Sequence, residues 1–576
     1  MKRVYRLIAL ICAATVSSMV AWGGTEKLSP ELKPETTANR RASDNVEVIV
    51  QYKVAPTEAH HQKVAALGGK LNHRMDFIKG AHYTVPVSAL SSLASDPDVA
   101  YVTPNRALKG TFDNITAGTV NSVTNGYELG MTGVGIGIAV IDSGVTGLGD
   151  FEDGASWRQV SNRVVYQQSF TGGPVADQYG HGTHVAGILA GNGFGTTYLG
   201  TILEGNIISL KVLDQNGNGS DSTVIQAIDA AISLKSQYNI KVINLSLGRP
   251  VYESVALDPL CAAVEQAWKA GITVVVAAGN DGRDDTDGID GYGTINAPGN
   301  DPYVITVGAV KDEGTTVRTD DLIASYSSKG PTLFDHYVKP DVVAPGNLVI
   351  STLPPGLTLS TEYPANQVGT TNYFTLSGTS MATPIVSGMA AMIMQQHPTW
   401  TPDQVKAAIM LTATKSNFPT SSTAVDPTTG TSYTSYYDIF TIGAGEVDMA
   451  GYSKMTAVPP AGLTAKSPTA VYNQLTGKVT LSGVSGVSTV WGSSTVWGSS
   501  TVWGSSTVWG SNVISNSSTV WGSSTVEVNS TVWGTSTVWG TSSTKGFSTV
   551  WGTSTVWGTS TTDSAESELL TTQGER

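Results

Sequence analysis

Residues 241–280 read KVINLSLGRPVYESVALDPLCAAVEQAWKAGITVVVAAGN. Two runs in this stretch, KVINLSL (241–247) and ITVVVAAG (272–279), are almost continuously apolar, and an amphipathic helix over 254–270 separates them. A strand that is apolar on both faces has to be covered on both faces, and a helix joining two such strands is the crossover of a parallel pair. The alternation continues outward through IGIAVI (136–141), a helix opening at His181, IISLKVL (207–213), a helix over 221–236 and VITVGAV (304–310). Another helix runs from Thr379 to Gln396 and stops before Pro398; Thr401-Pro402-Asp403-Gln404 is a capping box that starts the next. Residues 113–456 therefore read as an α/β domain on a parallel sheet. In such sheets ligands bind at the carboxyl ends of the strands.

Upstream the texture differs. VEVIVQYKV (46–54) alternates like a strand, and PTEAHHQKVAAL (56–67) is helical, with Gly68-Gly69 as its stop. KLNHRMDFIKGAHYTVPV (70–87) offers two strands broken near Gly80, VSALSSLASDP (87–97) a second helix and VAYVTP (99–104) a last strand. Residues 45–112 thus follow the β-α-β-β-α-β order of a small α+β, ferredoxin-like domain. Residues 24–44 are polar, contain Pro30 and Pro34, and read as a tether. Residues 1–23 read as a secretory signal: Lys2, Arg3 and Arg6, an apolar run over 7–21, then Ala21-Trp22-Gly23. That run is shorter than the roughly 20 residues of a membrane span.

The chain has 576 residues and a net charge of −13, from 33 basic and 46 acidic side chains, a balance that argues against a nucleic-acid partner. Its 40% hydrophobic content suffices for a core. The two cysteines exclude a disulfide scaffold, because Cys12 lies in the signal and leaves Cys261 as a small buried hydrophobe on a helix. Charged residues make up only 14%, and part of the shortfall lies near the end. Val458-Pro459-Pro460 opens a linker over 457–487, after which residues 488–559 repeat S-T-V-W-G-[ST] as twelve hexads. Ser515, Glu527 and Lys545 occupy the three slots without tryptophan. An even period puts every Trp and Thr on one face of a strand and every Val and Gly on the other. The expectation is a repetitive β-rich or disordered segment, its tryptophans open to cell-surface or glycan contact, followed by an acidic tail over 560–576.

Three polar residues stand where a parallel sheet would gather them. Asp142 follows a strand in VIDSGV, His181 opens a helix in GHGTHVAG, and Ser380 starts another in LSGTSMATP. An acid, an imidazole and a hydroxyl are the parts of an activated serine nucleophile. Asn280, ending a strand as AAGN, supplies a side-chain amide that can donate to an oxyanion together with the backbone N–H of Ser380. Singly, each has an ordinary explanation as a turn residue or helix cap. His184, one turn beyond His181, reads as helix packing, because an HxxH pair without a third ligand is poor evidence for zinc.

With these strings in order, together with VINLSLG (242–248), ASYSSKGP (324–331) and KPDVVAPG (339–346), the chain resembles a subtilisin-like serine peptidase, a subtilase. The GTSMA string at Ser380 is not the GxSxG of an α/β-hydrolase, and the Asp-His-Ser order differs too. The resemblance implies that residues 45–112 are a propeptide acting as inhibitor and folding chaperone. It further implies that Ser246, Leu247 and Gly248 run beside the substrate backbone, with Asn296 near the specificity pocket. The implied activity is a secreted endopeptidase acting on protein or peptide substrates, made as a zymogen that cuts itself between about residues 104 and 118. No cofactor is required for that chemistry. A structural calcium is left open with no ligand named, since GNGFGTTYLGTILEGN (191–206) departs from the family's calcium-loop string. DGRDDTDGID (281–290) reads as a solvated surface loop, with calcium or basic substrates as the sharper readings. From another class, the alternative is a surface or adhesive protein whose main role lies in the tryptophan repeat.

Overall fold

The apolar runs form one sheet. In the computed structural model, Gly137–Asp142 (β6), Asn206–Lys211 (β8), Ile240–Leu245 (β10), Thr273–Ala277 (β12) and Ile305–Lys311 (β13) pair in parallel. The structure describes residues 25–482 except 38–39, 111–129, 147–148, 153–161, 194–195, 197, 286–288, 316, 370–371, 415–417, 427–428, 457 and 474–477, and also residues 527–529. The signal, the tail and all of the hexad repeat but 527–529 therefore lie outside the described residues. Among the described residues, no helix is long and apolar enough to cross a membrane.

The chain divides into two compact units. The smaller comprises Met1–Arg106 with Ser220–Gln226 and Ala256–Ala263. It contains Asn45–Tyr52 (β1), Glu58–Ala66 (α1), Lys70–Met75 (β2), Gly80–Pro86 (β3), Leu90–Ser95 (α2) and Val99–Pro104 (β4). Its sheet runs β2-β3-β1-β4, with every neighbour antiparallel. Residues 24–44 differ from the tether expected. Leu28 and Leu32, one helical turn apart in a polar stretch, are buried in this unit's core, and the Ser29 N–H donates to Val102 O at 3.0 Å. Two leucines suffice to dock a segment too polar to read as structured.

In the larger unit the sheet order is β14-β13-β12-β10-β6-β8-β7, with β15 also on β13. Three strands of this sheet lie outside the apolar runs read from the sequence: Val164–Ser169 (β7), Leu322–Ile323 (β14) and Val342–Pro345 (β15). β7 (VVYQQS) is half-buried along its length and so lacks an apolar run. The longer helices are His181–Ala190 (α3), Asp221–Tyr238 (α4), Pro259–Lys269 (α5), Thr379–Gln396 (α6) and Pro402–Thr412 (α7); the first residues of α4 and α5 are counted with the smaller unit. KVINLSL is not one strand. β10 ends at Leu245, and Leu247–Gly248 (β11) joins a separate three-stranded sheet with Ala107–Gly110 (β5) and Asn218–Ser220 (β9). The break falls at Ser246, whose side chain is held elsewhere, as described below.

The stretch read as a linker is also packed where it is described. Ala465 and Ala470 are buried, Ala465 N–H donates to Asp403 Oδ1 (2.7 Å), and Ser467 Oγ donates to the fully buried Asp341 (2.8 Å). Thr469–Asn473 (β20) then pairs with Lys478–Ser482 (β21), which takes Glu527–Asn529 (β22) on its other edge.

Candidate active site

β6 ends at Asp142 and α3 begins at His181, and the two meet. His181 Nδ1–H donates to Asp142 Oδ1 at 2.7 Å, with both side chains fully buried. The same oxygen accepts the Ser143 N–H at 2.7 Å. A carboxylate can only accept, so Nδ1 carries the proton and Nε2 keeps its lone pair. Helix and strand touch this closely because residue 182 is glycine: a Cβ there would lie 2.3 Å from Gly144 O and 3.1 Å from Asp142 Oδ1.

Ser380 lies in the first turn of α6, after Gly378, whose φ of 147° no side-chain-bearing residue adopts comfortably. Pro384 sits one turn later and has no N–H, so the Ser380 carbonyl receives no helical bond from it. Ser246 fills the gap. Its Oγ donates to Ser380 O at 2.8 Å, while Ser380 Oγ donates to Ser246 O, also at 2.8 Å. Asn244 Nδ2 donates to Ser246 Oγ (3.0 Å), and Ser387 Oγ donates to Asn244 Oδ1 (2.8 Å), tying the clasp back to α6. Ser246 thus holds the backbone at Ser380, a role its sequence position did not suggest; the readable signal was Pro384, four residues after Ser380.

Asn280 joins this group through Thr379. Its Oδ1 accepts from both the N–H and the Oγ1–H of Thr379, each at 3.0 Å. A backbone N–H can only donate, so oxygen must face Thr379 and the NH₂ must face away. Asn296 is 8% exposed and donates to Asp281 Oδ2 at 3.0 Å, with its Cβ against Gly248. Burial, with Asp284 nearby, pushes Asp281 up to about 6 against the pull of the Asn296 amide. The loop from Asp281 is more engaged than a solvated one. Arg283 donates to Ser325 Oγ (2.5 Å), pairs with Asp426 (3.6 Å) and lies over the Tyr433 ring.

Two buried charges beside the Asp142–His181 pair went unnoticed in the sequence. Lys211 stands opposite Asp142 in the β6–β8 ladder and donates to Ser143 O at 2.7 Å; burial pulls its pKa down, and Asp177 and Asp142 push it back up. Asp177 accepts four bonds, from the N–H groups of Tyr179, Gly180 and Thr183 and from Thr183 Oγ1. Burial holds its pKa above the usual value, against the pull of the Thr183 hydroxyl and the Gly180 and Thr183 N–H groups. His184 is fully buried, its Nε2–H donating to Phe374 O at 3.0 Å, and burial drives it down to about 3. Among the described residues no group of three or more His, Cys, Asp or Glu could hold a metal ion.

A family model described as the Subtilase family matches residues 133–429. The chain belongs to the subtilase family. Serine protease AprX of Bacillus subtilis (strain 168) is 39% identical to this subtilase over 351 residues, covering 58% of this chain and 74% of the relative. Subtilisin E of the same organism is 34% identical over 352 residues, covering 61% and 80%. The solved structure of fervidolysin from Fervidobacterium pennivorans, described as a keratinolytic enzyme related to subtilisin, is similar with a TM-score of 0.53. It is 20% identical, covering 72% of this chain and 62% of that one, a likeness of fold. The family is one of serine peptidases, and its mostly parallel α/β sheet is the one described above.

Proposed function

We propose that this subtilase is exported as a zymogen and hydrolyses peptide bonds through an acyl-enzyme on Ser380. His181 Nε2 takes the hydroxyl proton as Ser380 Oγ attacks the carbonyl carbon, then delivers it to the leaving amine. Asp142 keeps the tautomer and stabilises the imidazolium. The Asn280 NH₂ and the Ser380 N–H donate to the oxyanion, and the start of α6 favours the same negative charge. Water repeats the sequence to release the acid, and no cofactor takes part.

The observation that carries this reading is the strand paired alongside Leu247 and Gly248. Ala107–Gly110 pairs antiparallel with β11, Gly110 opposite Leu247 and Lys109 opposite Gly248. The next residue of that wall is Ser246, in clasp with the nucleophile. Ser246, Leu247 and Gly248 then hold substrate backbone, and Asn296 borders the pocket for the residue beside the scissile bond. Leu108 is 1% exposed while Lys109 is exposed, so the cleft accepts an apolar side chain at the Leu108 position. Residues 45–112 are the inhibitory propeptide, released by a cut just beyond Gly110. Within the smaller unit, the Ser222 N–H donates to Asn105 Oδ1 (2.9 Å) and Gln51 Nε2 donates to Leu257 O (2.6 Å), contacts suited to a folding chaperone.

Intact mass and N-terminal sequencing of secreted wild type beside Ser380→Ala tests this. Wild type alone should lose the stretch up to the first residues past Gly110. Equal trimming of both would assign maturation to another protease, and no trimming of a folded wild type would sink the zymogen reading.

A further inference from the structure

The catalytic histidine occupies one end of a ten-residue helix, and the other end is closed by a buried charge. A helix leaves its last four carbonyls without helical partners. In α3 three of these are met by backbone N–H groups: Gly187 O by Gly191, Ile188 O by Thr201 and Leu189 O by Ile202, at 2.8 to 2.9 Å. The last, Ala190 O, accepts from Arg163 Nη2 at 2.6 Å. The same nitrogen donates to Asp150 O (2.9 Å), and Nη1 reaches Gly205 O at a longer 3.4 Å. Arg163 is 2% exposed and heads the fully buried side chains by size.

Such a guanidinium is costly to bury unless its donors are met, and here they gather three segments remote in sequence. Asp150 is itself buried and fixed, accepting from Tyr373 OH at 2.5 Å. Tyr373 begins Tyr373–Leu376 (β17), the strand that leads into α6 and Ser380. Gly205 precedes β8, which carries Lys211 beside Asp142. At the opposite end of α3, Asp177 accepts from the Gly180 and Thr183 N–H groups. The helix therefore has a buried carboxyl group accepting at its positive end and a buried guanidinium at its negative end, the latter matched to the dipole.

We propose that Arg163 is a positioning residue for catalysis: its guanidinium locks the C-terminal end of α3 and thereby holds His181 against Asp142. The inference rests on the assignment of His181 as the catalytic base, but its melting readout does not.

The test uses the full chain with Arg163→Met, Arg163→Lys and Arg163→Ala. Kinetics are measured on the matured enzymes, and melting in a Ser380→Ala background free of self-cleavage. Since α3 carries the base and not the substrate strands, Arg163→Met should lower kcat about ten- to a hundredfold with KM within about twofold, the scale of a small misplacement of a catalytic group. Arg163→Lys should recover most of that loss. Added guanidinium at about 25 mM should raise kcat and the melting temperature of Arg163→Ala, which has room for it, and leave Arg163→Met, which does not, unmoved. If Arg163→Ala does not fold alone, refolding with guanidinium should recover it. An Arg163→Met enzyme with parental kcat would overturn the proposal. So would an Arg163→Ala protein that neither guanidinium nor the lysine substitution improves. Inactivity of the parent itself would instead count against the assignment of His181.

Discussion

In the N-terminal unit the histidines and acids that shift move down; in the larger unit most of the aspartates that shift move up. His61 is 6% exposed, its Nδ1 2.7 Å from Tyr83 OH, and burial lowers its pKa. His82, beside Glu47, is lowered by burial too. Burial would raise Glu31 and Asp96, but Arg106 outweighs it at Glu31, and the Asp98 N–H with Lys63 outweighs it at Asp96, so both end low. For all four groups the unfolded chain holds more protons than the folded unit, so stability falls as pH falls, from about 6.5 for the histidines and lower for the acids. In the larger unit burial pushes Asp438 up to about 7 and Asp312 to about 6, and raises Asp301 and Asp321 as well. There the folded state holds the extra protons, and stability rises as pH falls from about 7 toward 4. His184 and His336, driven by burial to about 3 and 4, oppose this but are outnumbered. The groups named in the two units thus oppose one another in the direction of their response to acid.

The largest expected effect separates chemistry from either response. As the oxyanion donor proposed above, Asn280 should cost about 10²–10³ in kcat when replaced by Ala, the scale of losing one such donor. The melting of the N-terminal unit should not change, and KM should move little. A loss confined to KM would mean that the Asn280 amide binds substrate and not the oxyanion.

Next in size, Ser246→Ala strips Ser380 O and Asn244 Nδ2 of a partner in a dry interior. Two such losses predict about 2–4 kcal/mol of destabilisation, felt by the larger unit alone. Calorimetry in a Ser380→Ala background resolves which transition moves; a shift of the N-terminal transition instead would break the picture of two independent units.

These residues differ in how far the sequence announced them. Asp142 ends β6, His181 begins α3, Ser380 is second in α6 and Asn280 lies just past β12, each inside a contiguous string, so their places at element ends could be read from the sequence. The five parallel strands built on apolar runs were legible too, because burial on both faces leaves long apolar stretches. Arg163, Asp177 and Lys211 were not, since their partners lie far along the chain or on backbone atoms that no side-chain pattern encodes. Lys211 did leave a trace as the only charge in IISLKVL. Leu28 and Leu32 were missed because two apolar residues in a polar stretch lack a period. Residues 458–473 were misread because Pro459 and Pro460 punctuate a segment whose buried members, such as Ala465 and Ser467, are small.

Acidification of the Ser380→Ala chain from pH 7 to 5 should pull the two melting transitions apart, the N-terminal one falling and the other holding or rising. Parallel shifts would mean that the opposed titrations are not what sets stability. The smallest and most specific test replaces one proton site. His61→Gln keeps a polar group facing Tyr83 OH but cannot take up a proton, so it removes one titration from the unfolded state while leaving His82, Glu31 and Asp96. The acid slope of the N-terminal transition should then become shallower by at most about 1.4 kcal/mol per pH unit, the limit set by a single proton. The larger unit's slope should not change, because His184 and its burial against Phe374 are untouched. An unchanged N-terminal slope would move the acid sensitivity from His61 to His82, and a change in both slopes would show that the two units do not unfold separately.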